Sequence, residues 1–499
     1  MRRRGFVAVI TALATGCLRG EDTPGGRNGS NSDQEEDSQP NPSENDPVRT
    51  DISVDDLSAL GDPPYSVVDL EDVRVTLSSV YYPNARAQSG VLAASAVVEP
   101  STEDRPAVLR TVAFNDGGKK TELSLNFPPP HDGVGESDDG DVLYAVPTED
   151  HDLTDGGQDL SRDTDGTWHL AEEPEPEDWL PETVELGPGE GYVGEYALVT
   201  ENGEFHEDVY WFDGVGERTG LSVSAWPTDT PGPTGVSRFE GREVPDVEVA
   251  GSEFDTLWYH ETDEKAETYL EPSDELVEPP ATVTFRLVNR SDEPVRNRGI
   301  GWRLYKLVEG DFVEVAFPRV RGQASRQIPP GRHHTSEVRL SHGSTDERND
   351  TVSVGQLGGG VYAYTDGFGT GDGLPAALIE LDAPSLREGD VEPPEDATLE
   401  GDGGIVMVTT DAWREEDEDK RANFFVTRAE EADEPERLIP EQLYNTEEGL
   451  RYALPFFEDG VETVEVTPEG QLVNRTVGEE EGRTVRYGDK LYSVRRRQT

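Results

Sequence analysis

The most definite chemistry in the sequence lies in Ser161-Arg162-Asp163-Thr164-Asp165-Gly166, with Glu172 at the twelfth position of the same run. A calcium loop needs oxygen ligands at its first, third, fifth and twelfth positions and a turn-forming Gly at its sixth. Ser161, Asp163, Asp165 and Glu172 have that spacing, with one formal charge fewer than an acidic first ligand would give. The flanks do not continue as helices, because Gly156-Gly157 precedes the run and Pro174 and Pro176 follow it. Asp165-Gly166 ahead of Thr167-Trp168-His169-Leu170 also reads as a turn opening a strand, so a weak calcium site and a plain turn both stand.

No catalytic constellation is legible elsewhere. The eight His are His131, His151, His169, His206, His260, His333, His334 and His342, and none lies in a His-Glu-x-x-His pattern. His333-His334 with His342 is the densest group. Adjacent residues of a strand point to opposite faces, so these read as solvated side chains beside a Pro-Gly turn. The Gly-x-Ser-x-Gly elbow, the phosphate loop and Ser-x-x-Lys are absent. Gly358-Gly359-Gly360 and Gly367-Phe368-Gly369-Thr370-Gly371 lack a strand-loop-helix setting and read as turns. A blue-copper centre needs a Cys thiolate and two His, and the only Cys is Cys17. With 105 Asp and Glu a glycosidase-like carboxylate pair fits the composition, but sequence spacing does not fix separation in space.

Those 105 acids face 43 Lys and Arg, a formal charge of −62. Duplex nucleic acid and anionic lipid surfaces need a basic patch, so no nucleic-acid partner is expected. Hydrophobic residues are 33% of the chain beside 52 Gly and 36 Pro, a composition of turns and strands rather than long helices. Six of the basic residues are Lys, and the acid is spread through segments rich in Trp, Tyr and Phe. An evenly carboxylated surface stays soluble by self-repulsion that concentrated salt screens, which is a halophilic pattern.

The N-terminus is Met1-Arg2-Arg3-Arg4-Gly5-Phe6-Val7, and the apolar stretch 5–18 is too short to span a bilayer. Cys17 follows small residues in Leu13-Ala14-Thr15-Gly16-Cys17, and 18–55 is almost wholly Gly, Ser, Asn, Pro, Asp and Glu. A flexible chain of that length reaches roughly 35 Å. Asn28, Asn289, Asn349 and Asn474 each stand in an Asn-x-Ser/Thr sequon and are glycosylation candidates.

Beyond the tether the apolar residues alternate, as in Val73, Val75, Leu77; Val108, Val112, Phe114; Leu123, Leu125, Phe127; and Val283, Phe285, Leu287. Period two means half-buried strands. Asn115-Asp116-Gly117-Gly118, Asn202-Gly203 and Glu309-Gly310 are expected to close hairpins. Two stretches read as diverged copies: Ala107 to Asp116 resembles Ala281 to Arg290, and Leu186-Gly187-Pro188-Gly189 resembles Ile328-Pro329-Pro330-Gly331. The copies differ in length, and residues 131–182, with 18 Asp or Glu against one Arg, are where an insert belongs. After Glu388 to Pro394 the pattern changes: Ile405 to Thr410 and Asn423 to Thr427 read as strands, Leu450, Leu454 and Phe457 have helical spacing, and two β runs close the chain.

Arg3-Arg4-Gly5-Phe6-Val7 resembles a twin-arginine export signal, and the segment ending at Cys17 resembles a lipobox. With the acidity, the chain is similar to haloarchaeal twin-arginine-exported lipoproteins. The strand, Asn turn, strand, Pro-Gly turn, strand order resembles the immunoglobulin-like domains of bacterial surface lipoproteins and of the proteinase-inhibitor-like family. That resemblance implies a Trp buried on the third strand, where Trp302 stands. The ending Tyr487 to Val494 resembles an α+β module of haloarchaeal surface proteins.

The expected fold is mainly β: two immunoglobulin-like antiparallel β-sandwiches and a small C-terminal α+β module behind a disordered tether. The boundaries are 1–17 signal peptide, 18–55 acidic tether, 56–230 first sandwich with insert 131–182, 231–385 second sandwich, 386–402 linker and 403–499 module. The expected function is a lipid-anchored binding or structural protein on the outer face of the cytoplasmic membrane, attached through Cys17 after export by Arg3 and Arg4. A surface protein or glycan is the expected partner, and no cofactor is expected apart from calcium. The alternative is a surface hydrolase or hydrolase inhibitor using loop carboxylates.

Overall fold

A computed structural model describes the backbone of four strands between Tyr65 and Glu99 and most of residues 102–497. Stretches outside the described residues include 1–64, 125–129, 164–167, 201–205, 213–220, 319–326, 346–351 and 412–421. Arg3, Arg4, Cys17, Asn28, Asp165, Asn349 and the tether therefore lie outside them. Among the described residues the fold is mainly β with little helix. Among the described residues no helix is long and apolar enough to cross a membrane.

The first region forms one antiparallel sheet of ten strands between Tyr65 and Pro227. Its middle is Ala107–Asn115 paired with Gly191–Thr200, and both strands are buried over nearly their whole length, with Leu109 and Tyr196 in one core and Ala113 and Tyr192 in another. The insert widens this sheet: Val142–Pro147 pairs with Gly191–Thr200, and Val134–Glu136 links it to Asp208–Phe212. The insert is also tied down by Asp152, whose carboxylate accepts the Val193 N–H at 2.6 Å, and by the buried His151 ring edge-on to Tyr196 at 4.8 Å.

Two of the expected hairpins do not form. Ala107–Asn115 and Thr121–Ser124 do not pair; the latter joins Thr183–Leu186 in a separate two-stranded sheet. Gly191–Thr200 does not pair with Asp208–Phe212, which instead lies against Leu221–Pro227. At Asn115 the reason is a side chain: its Nδ2 donates to the carbonyls of Lys119 and Leu186, both at 2.9 Å, and this turns the chain out of the sheet. The Glu309-Gly310 hairpin forms as expected between Arg303–Val308 and Asp311–Ala316, with φ of 54° and 102° at the two turn residues.

The second region, from Asp255 to Leu381, has sheets packed face to face. Thr268–Pro272, Ala281–Asn289 and Arg332–Leu340 lie on one side; Gly360–Thr365, Gly373–Leu381 and the Arg303 to Ala316 hairpin lie on the other. Val283, Phe285 and Leu287 meet Tyr362, Tyr364 and Ile379 between them, with Phe285 stacked on Tyr364 at 4.0 Å. The alternate residues Val361 and Ala363 face outward and are covered by Phe239, Val247 and Val249 of the preceding chain. Trp302, expected in the core, is half-buried at its edge, while the indoles of Trp179, Trp226 and Trp258 are buried.

The copies predicted by sequence share one device. Asn289, like Asn115, is completely buried, and its Nδ2 donates to the carbonyls of Glu293 and Ile328 at 2.9 Å. Each Asn carbonyl then accepts an N–H from the Pro-Gly turn, Gly189 at 2.9 Å and Gly331 at 2.7 Å. Both glycines are left-handed, at φ of 79° and 72°.

The last region is a seven-stranded sheet between Thr398 and Arg496, backed by helices Pro440–Asn445, Glu448–Arg451 and Gly470–Val477. The helix expected around Leu450 to Phe457 is broken into Glu448–Arg451 and the 3-10 turn Leu454–Phe456, because Pro455 cannot continue an α-helix. Leu450, Leu454 and Phe457 still reach one core.

Candidate functional site

A cleft of about 970 Å³ opens between the second region and the last one. Its floor is built from strand Arg303–Val308, the Gly358-Gly359-Gly360 turn and helix Pro440–Asn445. Lys306 is 9% exposed and its ammonium pairs with the carboxylate of Glu441, which is 1% exposed. Oε1 of Glu441 also accepts the Gly358 N–H at 3.2 Å, and the Lys306 ammonium lies 5.4 Å from the centre of the Tyr362 ring. The Tyr362 hydroxyl donates to the Gly358 carbonyl at 2.6 Å. Burial first, and the Glu441 charge second, push the Tyr362 phenol well above its ordinary pKa, so it stays a donor.

The three glycines are needed for approach rather than for binding phosphate. A Cβ at Gly358 would stand 2.6 Å from the Leu386 nitrogen and 2.7 Å from the Glu441 carboxylate, and one at Gly359 would overlap the Ala383 carbonyl. The helix docks on the second region through Gln442, which donates to the Glu314 carbonyl at 3.1 Å, and Asn445, which donates to that of Gly355 at 3.0 Å. Removing one partner of a buried ion pair typically costs about 3–5 kcal/mol, so Lys306 and Glu441 hold the two walls of the cleft in register.

The rim carries charge. Arg437 pairs with Glu309 at 2.8 Å, and Arg387, Arg486 and Glu388 surround the mouth. Among the described residues no His or Cys lines the cleft. Sequence spacing could not assemble this group, which spans positions 306 to 486. The one local signal is a Lys between Tyr305 and Leu307 in a chain with only six.

One His and one carboxylate do meet. His334 Nε2 lies 3.6 Å from Asp366 Oδ2 and 3.4 Å from the Ser336 hydroxyl, which donates to the same carboxylate oxygen at 3.0 Å. A relay would need Ser and Asp on opposite ring nitrogens; here both face one nitrogen, so the group closes on itself. Burial raises the Asp366 carboxyl above its ordinary pKa, opposed by His334 and by the hydroxyls of Ser336 and Tyr364. His333 points outward, as expected, and His342 Nδ1 bonds the Leu357 carbonyl at 2.9 Å.

Of the proposed calcium ligands, Ser161 is drawn elsewhere. Leu160–Arg162 and Trp168–Leu170 form a hairpin in which the Ser161 hydroxyl meets the His169 ring at 2.9 Å. Asp163 and Glu172 are exposed. Among the described residues no group of three His, Cys, Asp or Glu is placed to hold a metal. The sequon at Asn289 is a correction: the nitrogen a glycan would modify is buried with both hydrogens donated, so that Asn is a structural residue. Asn474 is exposed on helix Gly470–Val477, where its Oδ1 accepts from Arg496.

No family model matches the chain, and no curated protein matches it. Among solved structures, a Pseudomonas fluorescens alkylpurine DNA glycosylase bound to abasic-site DNA aligns at 15% identity over 24% of this chain and 31% of its own, with a TM-score of 0.15. A polysaccharide lyase aligns at 14% identity over 64% of this chain and 36% of its own, with a TM-score of 0.13. The native Escherichia coli alpha-2-macroglobulin aligns at 10% identity over 85% of this chain and 24% of its own, with a TM-score of 0.13. The chain thus spans about a third or less of the length of these structures, and likenesses this slight assign it to no family.

Proposed function

We propose that the chain is a lipid-anchored binding protein on the outer face of the cytoplasmic membrane of a halophile, and that the cleft above the Lys306–Glu441 pair is its ligand site. In this reading Arg3 and Arg4 direct export, Cys17 carries the anchor, and two immunoglobulin-like units hold the cleft away from the membrane. The observation that carries the reading is the cleft itself: about 970 Å³, within the range of small-molecule sites, with fixed walls and convergent polar groups. The signal, the Cys and the acidity of the chain support the location.

The test is made on cells grown in high salt. Cys17→Ser should move the mature protein from membranes to the medium or leave it unprocessed, and Arg3→Lys with Arg4→Lys should hold it inside. Mature Cys17→Ser protein that still fractionates with membranes would refute the anchor.

A further inference from the structure

Strand Glu436–Leu438 runs parallel to Gly482–Tyr487, and the register sets Arg437 directly beside Arg486. Residues paired in this way share a face of the sheet, and like charges so placed repel. Here that face is the mouth of the cleft, with Arg387 on the facing segment. Arg437 has Glu309 as a counter-charge. Arg486 and Arg387 have no carboxylate within ion-pair distance among the described residues. Arg387, Arg437 and Arg486 share this mouth with Glu309 and Glu388, two of the three arginines are exposed, and three guanidinium groups converging on one cleft point to a ligand.

We infer that Arg387, Arg437 and Arg486 form an anion clamp, and that the cleft takes a small organic ligand bearing at least two oxyanion groups, carboxylate or phosphate. Guanidinium forks meet either group with two parallel hydrogen bonds, and the planar fork makes this pairing directional. Three forks around one cleft fit a multivalent anion better than a single chloride. This matters in strong salt: at about 1 M the screening length is about 3 Å, so long-range attraction is gone and only contact geometry selects the ligand. The inference rests on the cleft being the ligand site, and it adds the ligand's charge.

The experiment uses the detergent-solubilised full chain in about 2 M KCl, titrated calorimetrically with citrate, with pyrophosphate and with glucose as a neutral probe. One or both anions should bind and raise the melting temperature. Citrate alone identifies a carboxylate clamp, and pyrophosphate alone a phosphate clamp. Arg486→Gln and Arg387→Gln should each weaken anion binding at least tenfold, while Arg475→Gln, on helix Gly470–Val477 and paired with Glu469, should not. Arg486→Gln should melt no lower than the parent without ligand, because it removes a repulsion, and this separates lost binding from lost fold. No anion binding at millimolar concentration, or equal binding by the parent and both variants, would overturn the clamp. Glucose binding as tightly as either anion would overturn it too, while leaving the cleft as a ligand site.

Discussion

The regions Tyr65 to Pro227 and Asp255 to Leu381 start from the same buried Asn and Pro-Gly turn and end in different architectures. In the first, two insert strands complete one continuous ten-stranded sheet, which curls until Tyr65–Leu70 lies against Val91–Glu99. In the second no insert intervenes, the strands divide between facing sheets, and the outer face of one is covered by Phe239, Val247 and Val249. The lesson is that the Asn device fixes where a strand stops and how the chain leaves it. The number and layering of strands depend on what lies between the Asn and its Pro-Gly turn.

The largest difference between the regions should come from salt. The insert brings 18 acids and one Arg to the first region, and at about 0.1 M salt charges interact over about 10 Å. Diluting the full chain from about 2 M to about 0.1 M KCl should loosen the first region before the second, read by hydrogen exchange of Gly191–Thr200 against Ala281–Asn289. Equal protection at both salts would remove the halophilic reading. Sulfate serves as a control, since it also strengthens apolar burial.

Next in size, Asn115→Ala and Asn289→Ala each take the side-chain donor from one buried carbonyl, that of Leu186 or of Ile328, at about 1–3 kcal/mol. If the devices are equivalent, the two costs should agree within about 0.5 kcal/mol in urea unfolding followed region by region. A large disparity would mean that only one of them is needed.

Smaller again are the turn glycines. Gly189→Ala meets nothing within 4 Å and should show only the cost of a left-handed Ala, about 1–2 kcal/mol. Gly331→Ala would drive a methyl into the Trp226 ring and should cost more. Thermal melts of both variants make this comparison, and equal losses would show that Trp226 yields without penalty.

The smallest effect is one of pH. The Asp366 carboxyl has its pKa raised by burial, so between its ordinary and its raised value the folded chain holds more protons than the unfolded one. Stability from this group is then greatest below that window and falls as pH rises through it. Asp366→Asn should remove that slope from a melting-temperature profile, and the first region, lacking the group, should show no change.

The shared Asn device was legible because its anchor residues are local: an Asn at a strand end and a Pro-Gly turn announce themselves by type. The Glu309-Gly310 hairpin was legible for the same reason. What sequence could not provide was the partner of each strand, since period two marks faces without naming neighbours; the turns at Asn115 and Asn202 therefore read as hairpins. Helix Gly470–Val477 was missed because its buried side, Leu472, Val473, Thr476 and Val477, is short and three of these four residues are β-branched. The cleft depends on contacts between residues more than a hundred positions apart, such as Lys306 with Glu441, and no local pattern encodes those.

The seam between the two repeats has a consequence for heredity. The Trp226 indole of the first donates to the Arg290 carbonyl of the second at 3.0 Å, and its ring covers Gly331. Arg290 in turn donates to the Pro231 carbonyl at 2.7 Å and pairs with Glu207. Duplicated units are commonly inherited as beads that recombination can cut out and restring. Here a cut between Pro227 and Pro231 would bare a buried indole on one fragment and an emptied glycine seat on the other. A recombination that separated the two regions at this seam would therefore have to repair both fragments at once.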